Sequence, residues 1–438
     1  MLCPAAHRLC LATRLPGPIV FVLKCSVIKK QFVKKNMPTI RGLQYRFSEA
    51  LKKTAALVYT VPGGEILGIG AAHLGNAAPR ALVLYTIQAI PYYVVGDVMS
   101  CPIINEHTMY WESAEMVRQL NGAGYIVDYY DINSRKAIDW NKYDLVIDER
   151  NNLTQIPASR QHDITKICYC TGNHWLFQNI AELCRIRDFQ QRNDIYVSPE
   201  RQVSPLYSDA AADYMTHFGT PFQIQLFDAR PRKHLLDISV VHEPAFQRKN
   251  MATARRNFLW LGSGGLVLKG LDLAVEAFVQ MPDLHLYIAG NAERETHFWS
   301  WLKPMLDKHP NLHYLGWVDV GTKAFTDIAH QCVGTVYVSS TEGGPGSVAQ
   351  LTHFGLIPIV TETAAVRAAE ALGYVISSQE PAEITSQLVQ VVREVAALPE
   401  VELHARCEAV HDFGQQHHTR AAYARTFAGL LERVAAGR

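Results

Sequence analysis

No apolar run in this sequence approaches the roughly 18 residues that a membrane-spanning helix needs, and the best stretch, Ile19 to Leu23, stops at Lys24. There is no CxxC pair, and the nine cysteines, an odd number scattered from Cys3 to Cys407, make neither a disulfide framework nor a thiolate metal pattern. Such usage fits a reducing cytoplasm, where the chain is expected to reside. Neither sign of charge is in excess: 42 Lys and Arg against 41 Asp and Glu leave a formal +1, too little for bulk attraction to nucleic acid. Asp-x-Asp is missing, so that route to a metal site is closed, and neither metal nor cofactor is expected. A Walker A loop is missing too, because Lys269 follows Leu268 and precedes Gly270 instead of standing between Gly and Ser or Thr.

What is present is the composition of a globular protein, 48% apolar and 19% charged, over a length that suits two domains each with its own core. Residues 1–79 are set apart as an N-terminal extension. Its basic head (Lys24, Lys29, Lys30, Lys34, Lys35) lacks the order of a signal peptide and gives way to a Gly/Ala-rich stretch from Gly63 to Ala78. The extension is expected to be disordered or to reflect a start placed upstream of Met37; if it persists, the head offers peripheral contact with the inner face of a membrane.

From Arg80 onward strands and helices alternate, the pattern of parallel sheets. Arg80–Ala89, Tyr125–Asp131, Tyr143–Asp148 and Lys166–Cys170 read as strands, with helices over Thr108–Asn121 and Trp175–Arg187. Cys168 and Cys170 share a face of their strand and read as core packing. Asn173, Glu182, Arg185 and Arg187 read as a polar helical face, solvated or structural. A linker is expected at Phe246–Asn257. The alternation then restarts: strands Phe258–Leu261, Leu284–Ala289, Leu312–Leu315, Gly334–Val338 and Ile357–Val360, with helices Gly270–Gln280, Phe298–Lys308, Lys323–His330 and Ser347–Phe354. The tail from Ala382 is helical, broken at Phe413–His418. The division is therefore 80–250, 251–410 and a C-terminal helix, 411–438, that can pack back on the first domain.

In open sheets of this kind ligands bind at the carboxyl ends of the strands, so the loops there carry the chemistry. The loop Glu342-Gly-Gly-Pro-Gly-Ser347 follows one strand and opens a helix: Gly343, Gly344 and Gly346 let backbone approach a ligand, the helix start favours an anion, and Glu342 can accept from hydroxyls. A tight turn with Glu342 in solvent is the other reading. Gly262-Ser263-Gly264-Gly265 with Lys269 repeats the arrangement, Lys269 being either a point charge for phosphate oxygens or a solvated first-turn lysine. His174, after the strand ending at Cys170, and His107, before the first helix, are candidates for donor sugar or developing charge, although a histidine in either place can be structural.

These pieces, in order, resemble the family 4 retaining glycosyltransferases. The resemblance runs over Gly262 to Phe278, with Lys269-Gly-Leu-Asp-Leu inside it, then Leu286-Tyr-Ile-Ala-Gly290, Leu315-Gly-Trp-Val318, Ser339–Val348 and Gly355-Leu-Ile-Pro-Ile-Val360. It implies an α/β GT-B fold, two Rossmann-like domains facing each other across a cleft, and transfer of a sugar from a UDP- or GDP-linked donor to a glycan, lipid-linked or small-molecule acceptor held by the first domain. By it Lys269 neutralises the donor diphosphate, Gly316 and its neighbour Trp317 lie near the base, Gly290 belongs to the donor site, and Glu342 holds sugar hydroxyls beside Ser347 and Val348. The chain departs from the family twice. An Arg usual before Lys269 is replaced by Ser263-Gly-Gly265, whose backbone N–H groups could substitute, and a second Glu, eight residues after Glu342, is Gln350. An amide can bond a ribose hydroxyl but brings no charge. The alternative expectation is a nucleotide-sugar-binding regulatory or scaffolding protein that has lost catalysis.

Overall fold

The computed structural model describes residues 64–437. The basic head and Met37 lie outside them. The first half holds β1 (Glu65–Ile69), β2 (Arg80–Tyr85), α1 (Thr108–Gly122), β3 (Ile126–Asp131), β4 (Leu145–Asp148), β5 (Thr165–Tyr169), α2 (Trp175–Asn193), β6 (Tyr214–His217) and β7 (Arg232–Leu235). The strands line up as β1-β3-β2-β4-β5-β6-β7, and β1 alone runs antiparallel to its neighbour. Strands β2 to β5 are buried along almost their whole length, which is why they read as continuous apolar runs.

Strand β1 corrects the sequence reading. It falls inside the stretch 1–79, yet Glu65, Ile66 and Ile69 pair with Tyr130, Tyr129 and Val127, so this part of the stretch belongs to the first sheet. Five residues, mostly half-exposed on an edge, give too short a pattern to stand out.

The second half contains β8 (Asn257–Leu261), α3 (Leu271–Val279), β9 (His285–Ala289), α4 (Thr296–Lys308), β10 (Leu312–Gly316), α5 (Lys323–His330), β11 (Gly334–Tyr337), α6 (Gly346–Thr352), β12 (Ile357–Thr361) and β13 (Tyr374–Ile376). The order β10-β9-β8-β11-β12-β13, all parallel, is that of a dinucleotide-binding Rossmann sheet. From β8 the chain first builds outward to β9 and β10, then returns to β8's other side with β11. The crevice at this switch point opens at the carboxyl ends of β8 and β11.

Three helices end the chain: α7 (Pro381–Ala397), α8 (Glu400–His417) and α9 (Arg420–Ala436). The break expected at Phe413–His418 comes later. Phe413 to His417 stay helical, with Gly414 buried against Thr352, and Thr419 opens α9 by accepting from the Ala422 N–H at 3.0 Å.

Each half lends a helix to the other. Ile186 and Phe189 of α2 lie in the core of the second sheet, while Tyr423, Phe427, Leu430 and Val434 of α9 lie in that of the first. Phe189 is fully buried between Phe298 and Trp301, with ring centroids 5.7 and 5.3 Å away. The polar face expected on α2 is therefore an interface: Asn173, Glu182 and Arg185 are buried, and only Arg187 faces solvent. The Arg185 guanidinium donates to the Val338 carbonyl at 3.2 Å, and Arg192 pairs with the buried Asp272 at 2.6 Å. Cys168 is buried in the first sheet's core with Cys170 packed beside it, and both are free thiols. Among the described residues no helix is long and apolar enough to cross a membrane, and no group of His, Cys, Asp and Glu could hold a metal ion.

Candidate active site

Between the two sheets lies a cleft of about 730 Å³, bordered by loops from both halves. Its second-half wall includes Gly262, Ser263, Lys269, Gly290, Trp317, Glu342, Gly344, Gly346, Ser347 and Gln350. Ten residues singled out in the sequence thus meet in one place although they span almost ninety positions, because the loops after β8, β9, β10 and β11 all leave the same end of one parallel sheet. Gly264, Gly265, Gly316, Gly343, Val348 and His174 are not part of this lining. Val348 is buried in the second core, behind the wall.

The centre of that wall is a three-residue cluster. Lys269, 7% exposed, donates to the Glu342 Oε1 at 2.9 Å and to the Tyr337 hydroxyl at 3.1 Å, and that hydroxyl donates to the same Glu342 oxygen at 2.7 Å. Lys269 is no solvated first-turn residue, nor does Glu342 wave in solvent. Burial would lift the Glu342 carboxyl, but Lys269, the Tyr337 hydroxyl and the charge of Arg201 outweigh it and hold it below its ordinary value. The Glu342 N–H donates to the Thr363 carbonyl at 3.0 Å, which ties the loop to the turn after β12.

The next residue touches the other half. A Cβ on Gly343 would lie 2.6 Å from the backbone of Gly172, so only glycine permits this approach. Asn173 adds a bond from its amide to the Thr341 hydroxyl at 3.1 Å. The loop after β5 therefore holds the Glu342 loop directly. His174, proposed in that loop as a catalytic group, packs its ring on Phe227 and Trp175 instead and stays out of the cleft lining. His107 does border the cleft, where it caps α1 by accepting from the Met109 N–H at 3.2 Å. Burial, and then Arg201, press its pKa below the ordinary value.

Both sequence departures acquire a structure. The Gly265 N–H, one of those that could have stood in for the missing Arg, is taken by the Glu295 carboxylate at 2.6 Å, and the Leu266 N–H beside it donates to the same carboxylate at 3.2 Å. Gln350 is 3% exposed and spans the backbone of His242: its Oε1 accepts from the His242 N–H at 3.1 Å, and its Nε2 donates to the His242 carbonyl at 2.5 Å. A carboxylate could do only the first of these, which gives a physical reason for an amide at this position. Its hydrogen-bonding capacity is used on the crossover between the halves.

The first-half wall holds groups that the sequence reading passed over. Glu112 of α1 is 3% exposed, accepts from the Ser239 hydroxyl at 2.7 Å and borders the cleft. Burial pushes its carboxyl up to about 7 against the hydrogen bonds that it accepts. A signal for it exists: Glu112 stands four and eight residues before Met116 and Leu120, on the apolar face of α1. Arg201, on an irregular segment after α2, also borders the cleft, and nothing in its local sequence marks it.

A scan against protein-family models finds no match, and neither does a search of curated proteins. Among solved structures, sucrose-phosphate synthase from Thermosynechococcus elongatus is similar with a TM-score of 0.53 at 11% identity, over 82% of this chain and 100% of that one. The fold is GT-B. The HepE protein of Anabaena, solved with UDP and glucose, is similar with a TM-score of 0.47 at 8% identity, over 82% of this chain and 100% of that one. GT-B describes what the sheets already display: two Rossmann-like domains with a cleft between them.

Proposed function

We propose that the chain is a retaining glycosyltransferase of the family 4 type, moving a sugar from a UDP- or GDP-linked donor to a glycan, lipid-linked or small-molecule acceptor. The observation that carries this reading is the Lys269–Tyr337–Glu342 cluster at the switch point of the second sheet, where a cation and a hydroxyl acceptor stand side by side at the cleft. In the reaction the bond from the anomeric carbon to the diphosphate breaks while the acceptor oxygen bonds that carbon, and the acceptor's proton leaves with the diphosphate. Lys269, itself buried, stabilises the charge growing on the leaving group. Glu342, kept ionised, accepts from hydroxyls of the sugar being moved. No metal enters this scheme.

A second reading, a binding protein without turnover, draws on Gln350, whose amide is engaged by His242. Incubation with a panel of UDP- and GDP-sugars separates the two by the release of free sugar. Turnover that falls more than about 100-fold in Lys269→Ala and in Glu342→Ala supports the enzyme. Binding without any release supports the second reading, and near-normal turnover in either variant contradicts the assigned roles.

A further inference from the structure

The loop Gly262–Gly265 offers a diphosphate less than its sequence suggests. Two of its neighbouring N–H groups are spent on Glu295, and Lys269 is the cation that the second half contributes to the cleft wall. A second cation comes from elsewhere in the chain. Arg201 borders the cleft, and its aliphatic stem lies over Gly265: a Cβ there would meet its Cγ at 2.5 Å, on a backbone already at φ +84°. Glycine at 265 thus makes room for the arginine.

The backbone of Arg201 is fixed from beneath. Glu182 of α2, 1% exposed, accepts from the N–H groups of Glu200 and Arg201 at 2.8 and 2.7 Å and from the Gln202 amide at 2.6 Å. Gln178 donates to the Arg201 carbonyl at 3.1 Å, and Asn179 bonds both the N–H and the carbonyl of Val203 at 2.9 Å. This strap rides on α2, and α2 is built into the core of the second sheet through Phe189. Arg201 therefore keeps its distance from Lys269 although it precedes the second sheet in sequence. Its guanidinium forms no ion pair with a described carboxylate. Its charge is felt by Glu342, Tyr337 and His107, all on the cleft. A cation anchored by its backbone, with an unengaged guanidinium at the mouth of a Gly-rich loop, is arranged to meet an anion with more than one oxygen.

We infer that Arg201 is the second cationic contact of the donor diphosphate, supplied by the strap after α2 instead of by the loop that carries Lys269. The inference rests on the nucleotide-sugar reading above, and it makes Glu182 a positioning residue for Arg201.

The test is calorimetric titration of the full chain, unaltered and as Arg201→Ala and Arg201→Lys, with UDP, UMP and uridine and with the corresponding guanine series. Arg201→Ala is expected to weaken the diphosphate by about 10- to 100-fold, the loss of one charge-assisted contact, and to leave the nucleoside unchanged. Arg201→Lys should recover part of the loss, and melting temperatures should match, because the side chain is exposed. Unchanged diphosphate affinity in Arg201→Ala overturns the inference, as does an equal loss for the nucleoside. If the unaltered chain binds neither diphosphate, the reading of the cleft itself fails, which is a different result from a silent arginine.

Discussion

Lys269 and Glu342 could be found from the sequence because each stands on a short loop directly after a strand, and strand ends in a parallel sheet point to a common place. Arg201 and Glu295 could not, because their roles depend on where irregular segments are held, and that is decided by Glu182 and by the turn before α4. Gln350 shows a different limit: its spacing marked it as a ligand residue, and only the fold reveals His242 within reach of both ends of the amide. Glu112 supplies a test at this scale. Its carboxyl titrates at about 7 when folded, above its ordinary 4.5. Its folded value is raised, so the associated stability is complete below about pH 4.5 and is lost as the pH climbs through 7. The span corresponds to about 3 kcal/mol at most. Glu112→Gln should remove this fall: urea midpoints of variant and parent should diverge in the variant's favour between pH 5 and pH 8. Parallel curves over that range would show that Glu112 is not the buried acid described.

Among elements, the helix exchange was the part least open to sequence reading. The periodicity of α2 announces a helix and cannot say which sheet receives it, since Ile186 and Phe189 would be equally apolar against either core. For α9 the sequence did offer packing back on the first domain, and its Tyr423 hydroxyl lies 3.1 Å from that of Tyr169 in the opposite sequence half. Charge gave a misleading cue on α2: Glu182 and Arg185 look like solvent-facing residues until their partners, the 200–202 strap and the Val338 carbonyl, are brought up to them. The consequence can be measured. Phe189→Ala should cost about 3–5 kcal/mol, the usual price of emptying an aromatic site in a core. Hydrogen exchange should quicken in α4, which carries Phe298 and Trp301, more than in β2 or β4 of the half that α2 follows in sequence. Faster exchange confined to the first sheet would contradict the packing.

Over the whole molecule, the alternation of strands and helices was enough to indicate two Rossmann-like sheets, because central parallel strands are apolar on both faces and helices are not. The edge was harder: β1 lies half-exposed in a stretch set apart as an extension. The cleft that results joins a carboxylate held ionised, a buried lysine and, from the opposite sequence half, an arginine on a strap. The most direct test is a crystal structure with UDP- or GDP-sugar bound. The diphosphate is expected within about 3 Å of the Lys269 Nζ, with the Arg201 guanidinium on its other side and the sugar hydroxyls donating to Glu342. A diphosphate bound away from Lys269, or a cleft that stays empty at saturating donor, would contradict it.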